Sequence, residues 1–389
     1  MTRKVLIVGA GIAGLTAAAS FRMFGWDVEV FERSAEPREI GAGLYIKENS
    51  FEILDHLGLT EEIMAAGRRI SEARIIDEDK VLVTSRDLSC ERLVVVLRSD
   101  LQQALRQRAE ELGAVLTTNA HVVAADPRGI LRFADGSEEH ADLVIGADGL
   151  NSKVRDSLDL MRARYALGDG ATRVLVPRDP NEPDVSTEYW SGNLRVGIAP
   201  CSQDHTYMFI IGPEKDHRAT RVPLDMNYWT RNFPHLEHYF RQVTVENSIH
   251  HRHSVVHCDS WVKGNVAIIG DAAHAQPPNL GQGAGVSMAA AWELAETLAV
   301  FQDDIPTALD IWHKTARPRI DMVQKLTTAY DFIQYKWPKA LAPLRSRLFS
   351  AISKSPLVGK RWEFYWRGGS PEPYSDEDRR TLNITKEIL

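Results

Sequence analysis

The feature that most constrains this chain is its N-terminal glycine loop, Gly9-Ala-Gly-Ile-Ala-Gly14. It follows an apolar run, Lys4–Val8, and opens an alanine-rich stretch, Leu15–Phe24, that ends near Gly25. A second run rich in β-formers, Asp27–Phe31, comes next. Strand, glycine turn, helix and strand within about 30 residues make a β-α-β unit and predict a parallel sheet covered by helices. Each glycine then has its own reason to be glycine: a tight turn, close approach of a pyrophosphate, and close packing of helix on strand. The helix N-terminus offers free N–H groups and a partial positive charge to phosphates. Glu32 stands at the end of the second strand, roughly 20 residues past the loop, where an acid can accept hydrogen bonds from an adenosine ribose.

Two later segments, Asp142–Gly146 and Asn265–Gly270, are apolar runs that end in glycine turns and read as the same sheet resumed. Between them and the N-terminal unit, Ser99–Leu112 carries Leu101, Leu105 and Leu112 at helical spacing. The middle of the chain has a different rhythm. Val185–Trp190, Leu194–Ala199 and Thr206–Gly212 are short strand patterns separated by turns, which suggests an antiparallel sheet, followed by a short helix near Leu224–Asn232. After Gly283 the pattern is helical almost to Tyr335. At 389 residues the chain is long enough for two packed domains. The expected fold class is α/β, a Rossmann-like nucleotide-binding domain with an inserted antiparallel-sheet substrate domain and a helical C-terminus. The first part of the nucleotide-binding domain takes residues 1–171 and the inserted domain 172–260. The return of the first domain and its long helix take 261–335, and an amphipathic helical segment and tail take 336–389.

Composition excludes several other classes. A formal charge of −7 argues against a nucleic-acid partner. No apolar stretch is long enough to span a bilayer, and membrane contact is not expected. The three cysteines, Cys90, Cys201 and Cys258, lie far apart, which fits a reducing, cytoplasmic setting and excludes a disulfide framework or a cysteine-rich zinc site.

Two further motifs sit at strand ends. Gly146-Ala-Asp-Gly149 is on its own an ordinary turn sequence. Gly270-Asp-Ala-Ala-His274 is followed by Gln276-Pro-Pro-Asn-Leu-Gly-Gln-Gly283 and then a helix, which makes a second place for an anion or ligand. Taken in order with Gly9–Gly14, Glu32-Arg33 and Arg98-Ser-Asp-Leu101, these motifs resemble the FAD-dependent aromatic hydroxylases, the single-component flavin monooxygenases of the salicylate and para-hydroxybenzoate hydroxylase type. The resemblance covers about residues 3–330. Within that group the segment Arg195–Tyr207 is similar to 2-methyl-3-hydroxypyridine-5-carboxylate oxygenase and related N-heterocycle hydroxylases.

The resemblance implies a set of roles. Gly9, Gly11, Ile12, Ala13 and Gly14 would hold the FAD pyrophosphate, with Glu32 and Arg33 at the adenosine ribose. Arg98 would reach the phosphate and ribityl region, and Asp271 the ribityl chain or pyrophosphate. Asp148 would be structural, near the cofactor cleft. Pro277, Gly281, Gly283 and Ala284 would lie along the isoalloxazine, with the helix N-terminus at its N1–O2 edge. NADH or NADPH would bind only transiently. Reduced FAD and molecular oxygen would form a C4a-hydroperoxide that hydroxylates a small aromatic or N-heteroaromatic acid. The alternatives are a lipophilic quinolone-like ring taken at a membrane surface, or a flavin-binding protein without turnover. The expected assembly is a monomer or homodimer.

Substrate-side residues are read from strand parity together with what the resemblance implies. Arg195, Gly197 and Ala199 share one face of their strand, opposite Leu194, Val196 and Ile198. That face leaves room for a ligand and offers one guanidinium to an anionic ring, or else it is a solvated sheet surface. In the similar heterocycle hydroxylases the matching arginine and tyrosine contact the substrate; Tyr207, which shares its face with Phe209 and Ile211, would do so or else pack in the core. Lys47 meets a substrate carboxylate or is solvated. The histidines His250, His251, His253 and His257 read as surface or strand residues without a metal set, and His274 as a brace for its loop. The segment Lys336–Arg367 holds eight Lys or Arg and one acid, with Leu341, Leu344, Leu348, Phe349 and Ile352 at helical spacing. It reads as a packed amphipathic helix, with a membrane surface or a dimer contact as alternatives.

Overall fold

The computed structural model describes residues 2–35, 42–301 and 304–355. Gly41 and the tail beyond residue 355, with part of the basic segment, lie outside the described residues. The Lys4–Val8 strand is central in a sheet whose order is Val262–Lys263, Val266–Ile268, Leu143–Gly146, Lys4–Val8, Asp27–Phe31, Val115–Thr117. Its pairings are parallel except at the Val262–Lys263 edge. Val5, Leu6, Ile7 and Val8 are all buried, as a strand covered on both faces requires. The helix Ile12–Met23 packs between the helices Arg98–Glu111 and Gly283–Val300. Ala17–Ala19 and Ala289–Ala291 are buried small side chains on two of these helices, which lets them approach closely.

A second sheet of seven strands has the order Ser248–Cys258, Met161–Pro177, His205–Pro213, Leu194–Pro200, Val185–Ser191, Glu72–Ile76, Leu82–Asp87. It is antiparallel except where Val185–Ser191 runs beside Glu72–Ile76. Residue 172 lies inside the strand Met161–Pro177, and two strands come from residues 72–87, so the sheet draws on more of the chain than the middle segment. One face carries Val174, Val176, Val196, Met208 and Ile210, packed against Trp229, Phe233 and Phe240. The short helix that supplies Trp229, Met226–Asn232, is capped by Asp225, whose side chain accepts from the Tyr228 N–H. The opposite face, with Arg195, Tyr207 and Phe209, looks back toward the parallel sheet.

The helical end is broken where a nearly continuous helix is expected. Gly283–Val300 stops, and Ile305–Lys336 restarts with Asp304 as its N-cap. A further helix, Ala342–Ser353, packs through Phe349 against Trp190 and Tyr330 and through buried Arg345, which donates to the Gly192 carbonyl. Phe349 thus points away from Leu341, Leu344, Leu348 and Ile352, which remain exposed. Among the described residues no helix is long and apolar enough to cross a membrane.

Candidate active site

A cleft of about 1000 Å³ lies between the ends of the parallel strands and the inner face of the second sheet. Every candidate residue from the sequence lines it except Gly14. The three loop glycines do different work. Gly9 has φ +103°, and a side chain there would fall 2.5 Å from the Ala147 carbonyl oxygen. A side chain on Gly14 would fall 1.9 Å from the Gly9 carbonyl oxygen, which explains why Gly14 packs behind the loop. Nothing lies within 4 Å of where a side chain on Gly11 would be, so that backbone is open to a ligand. Glu32 accepts the Ala10 N–H at Oε2 and the Ser34 N–H at Oε1, each at 2.9 Å. Each oxygen keeps a second lone pair for a ribose hydroxyl. Gln102, not singled out from sequence, donates to the Ala10 carbonyl at 2.8 Å and fixes the loop from the side of the Arg98 helix.

Asp148 takes the Lys153 and Val154 N–H groups on one oxygen and so caps a short helix; burial holds its carboxyl above the usual range. Asp271 opens a short helix after Gly270, whose φ of +62° places it against Ala13. His274 is buried against Trp261, and burial pushes its ring down to about 4, so it stays neutral. The helix Gly283–Val300 begins at Gln282 with no side-chain cap, so its first N–H groups and its dipole face the cleft through Gly283 and Ala284. An open glycine backbone, an acid at the second strand end and an uncapped helix N-terminus together fit an FAD. Gly9–Ala13 would hold its phosphates, Glu32 its ribose, and Gly283 and Ala284 its ring.

Three substrate-side expectations change. Lys47 is not solvated. It is buried, its Nζ donates to the Leu280 carbonyl at 2.7 Å, and burial pushes its pKa down to about 7. It therefore braces the Pro277–Gly283 loop. Gly197 does not leave room for a ligand: a side chain there would fall 1.9 Å from the Phe209 ring, which fills that space. Arg195 is neither solvated nor free, at 2% exposure. Its Nη2 donates to Asn279 Oδ1 at 2.8 Å and lies 3.7 Å from Asp169 and 3.8 Å from Asp331; its Nη1 lies 3.5 Å from Glu188. The guanidinium also stands 5.5 Å from the Tyr330 ring centre. Tyr207 is buried with its ring filling the space over Gly43, and burial pushes its hydroxyl up.

His253 is buried and meets Asp169 at 2.9 Å and Asp331 at 3.7 Å. Burial opposes a charge on its ring, but the two carboxylates outweigh that and push its pKa up. Asp169, His253 and Asp331 are close enough to hold a metal ion. The positive charge that two buried carboxylates need is already supplied by Arg195. Sequence reading missed this group because its members come from three separate elements. Glu188 was within reach of parity, since it alternates with Ser186 and Trp190 on the strand that pairs Trp190 with Arg195.

A family described as FAD binding domain matches residues 2–327. The chain belongs to this family and is an FAD-dependent monooxygenase. The probable 2-heptyl-3-hydroxy-4(1H)-quinolone synthase of Rhodococcus erythropolis is 34% identical over 91% of this chain and 95% of its own. The 2-heptyl-3-hydroxy-4(1H)-quinolone synthase of Mycobacteroides abscessus is 33% identical over 83% and 88%. Among solved structures, the tetrameric form of 2-methyl-3-hydroxypyridine-5-carboxylic acid oxygenase is 33% identical, with a TM-score of 0.80 over 87% of this chain and 95% of that one. The monooxygenase class, the FAD-binding fold and the likeness to N-heterocycle hydroxylases expected from the motifs all hold.

Proposed function

We propose that this monooxygenase uses NADH or NADPH and molecular oxygen to hydroxylate a flat, neutral N-heteroaromatic ring of the quinolone type. The observation that carries the choice of a neutral ring is the state of Arg195. The guanidinium expected to hold a substrate anion is enclosed by Asp169, Glu188 and Asp331, and a further carboxylate would meet three of its own charge. The quinolone named in the relatives supports the same choice.

Bound FAD supplies the oxygen-activating chemistry. The protein's residues would supply everything around it. Gly283 and Ala284, at the helix N-terminus, would favour negative charge on a bound FAD. Lys47 and Asn279 hold the Pro277–Gly283 loop that leads into that helix. Ile75, Phe209, Ile211 and Phe349 line the cleft with apolar surface that orients a ring and excludes water.

An anionic aromatic acid is the second reading, favoured by Arg173. It lines the cleft on the same face as Phe209, and its Nε is buried without a hydrogen-bond partner. Stimulated NAD(P)H oxidation separates the two. 2-Heptyl-4(1H)-quinolone should stimulate it, with product oxygen derived from labelled dioxygen, and 2-methyl-3-hydroxypyridine-5-carboxylate should not. The reverse result would move the assignment to an acid held at Arg173.

A further inference from the structure

Glu188 stands where the inner face of the second sheet lines the cleft, with its side chain 16% exposed. Its two oxygens have different surroundings. Oε1 accepts the Trp190 indole N–H at 2.7 Å and the Tyr330 hydroxyl at 3.2 Å, and it is the oxygen nearest Arg195, at 3.5 Å. Oε2 takes no hydrogen bond from any described residue. The carboxylate is thus clamped through one oxygen by three groups, themselves deeply buried, and its other oxygen is left to the cleft. An ionised carboxylate only accepts hydrogen bonds, so a ligand that meets Oε2 must donate one. The nearby cleft walls are Ile75, Phe209, Ile211 and Phe349, which suit a planar aromatic ring.

We propose that Glu188 is a specificity-determining residue that accepts a hydrogen bond from the ring N–H of a neutral azaheterocycle. This rests on the quinolone-type reading above. The contact would orient the ring in the cleft. It would also draw the N–H bond toward the carboxylate and push electron density into the ring, which favours attack on an electrophilic oxygen. A ring that lacks the N–H would leave Oε2 buried against apolar substrate without a partner, which is the strongest form of discrimination a polar pocket has. Arg195 acts through Glu188 here as a positioning residue and does not touch the ring.

The test uses the FAD-loaded full chain, with 2-heptyl-4(1H)-quinolone and its N-methyl counterpart as probes. Binding is read from the perturbation of flavin absorbance, and turnover as KM and kcat. In Glu188→Gln the indole and tyrosine donors keep the amide oxygen at the Oε1 position, so the amide nitrogen replaces Oε2 and a donor replaces the acceptor. The N–H quinolone should then bind about tenfold to a hundredfold more weakly, while the N-methyl probe changes little. Wild-type protein should itself prefer the N–H probe over the N-methyl one by about tenfold or more. Glu188→Asp keeps the charge and should recover part of the preference. FAD content must match wild type in both variants. Equal losses for both probes, or an unchanged N–H affinity in a variant with full FAD content, would overturn the role of Glu188 and leave the substrate reading standing. Wild-type turnover of the pyridine carboxylate in place of either quinolone would instead overturn the substrate reading, and this inference with it.

Discussion

Replacing Arg195 with alanine should unsettle the fold before it affects a substrate. The guanidinium is 2% exposed and lies among Asp169, Asp331 and Glu188, each within 3.8 Å of it. With His253 protonated, the group holds two positive and three negative charges; without Arg195 it holds one and three. Removing one partner from a buried ion pair costs about 3–5 kcal/mol, because the remaining charge is left uncompensated. For a chain of this size that is a fall in Tm of roughly 4–6 °C. The loss should also depend on pH. Burial holds Asp169 above the usual carboxylate range, while Asp331 lies below it with His253 and Arg195 as partners; losing the cation raises both aspartates. An acid whose folded pKa exceeds its unfolded value binds its proton more tightly when folded, so stability falls as pH rises through that window. Arg195→Ala should therefore be penalised less at about pH 5.5 than at about pH 8. Thermal and urea unfolding of wild type and variant at both pH values check this, together with Arg195→Ala/Asp331→Asn, which should recover part of the loss. A stability change within about 0.5 kcal/mol, joined to a raised KM for an anionic ring, would refute the reasoning and return Arg195 to the role of a substrate clamp.

Four other substitutions test the cofactor half of the cleft. Glu32→Ala should weaken FAD binding about tenfold to a hundredfold, measured by equilibrium titration of the apoprotein; unchanged affinity would remove Glu32 from the ribose site. Gly11→Ala should leave the apoprotein Tm unchanged and lower FAD affinity, whereas Gly14→Ala should destabilise the apoprotein itself by about 1–3 kcal/mol, since its side chain meets the Gly9 carbonyl; the opposite pattern would exchange the roles assigned to them. Lys47→Met probes the loop brace. The folded pKa of Lys47 is about 7 against an ordinary 10.5, so the unfolded chain holds the extra proton between those values and wild-type stability gained at this site rises with pH across them. Urea unfolding between about pH 7 and 9 should show wild type gaining on the methionine variant, and parallel curves would mean that Lys47 is not buried.

Legibility in the sequence follows the range over which each feature is determined. Lys4–Val8, the three glycines and Glu32 form one local unit, and each residue type there is dictated by backbone geometry within a few positions. The parity of Arg195, Gly197 and Ala199 was also legible, because alternation along a strand is local. What fills the space beside them was not. The Phe209 ring over Gly197 depends on the register between two strands, and the carboxylates around Arg195 arrive from Met161–Pro177, Val185–Ser191 and Ile305–Lys336. Lys47 looked solvated because nothing in its neighbourhood shows that the chain passes beneath Leu280.

The same difference in range separates what the two halves of the cleft can change independently. The half that would hold FAD offers mainly main-chain groups, so its demands fall on glycines and helix termini. The substrate half works through side chains that face inward from the second sheet, where Glu188, Phe209 and Ile211 occupy alternate strand positions. Substitution at those positions retunes the ring without touching the main-chain groups that would hold FAD. Asn279 limits that independence. It lies in the Pro277–Gly283 loop, accepts from Arg195, and donates to Asp331 and to the Thr327 carbonyl. The Pro277–Gly283 loop, which would lie beside FAD, is thus fixed by the charge group around Arg195. A change at Arg195 or Asp331 therefore has to move the loop as well as the wall, whereas a change at Glu188 Oε2, which no described residue binds, does not.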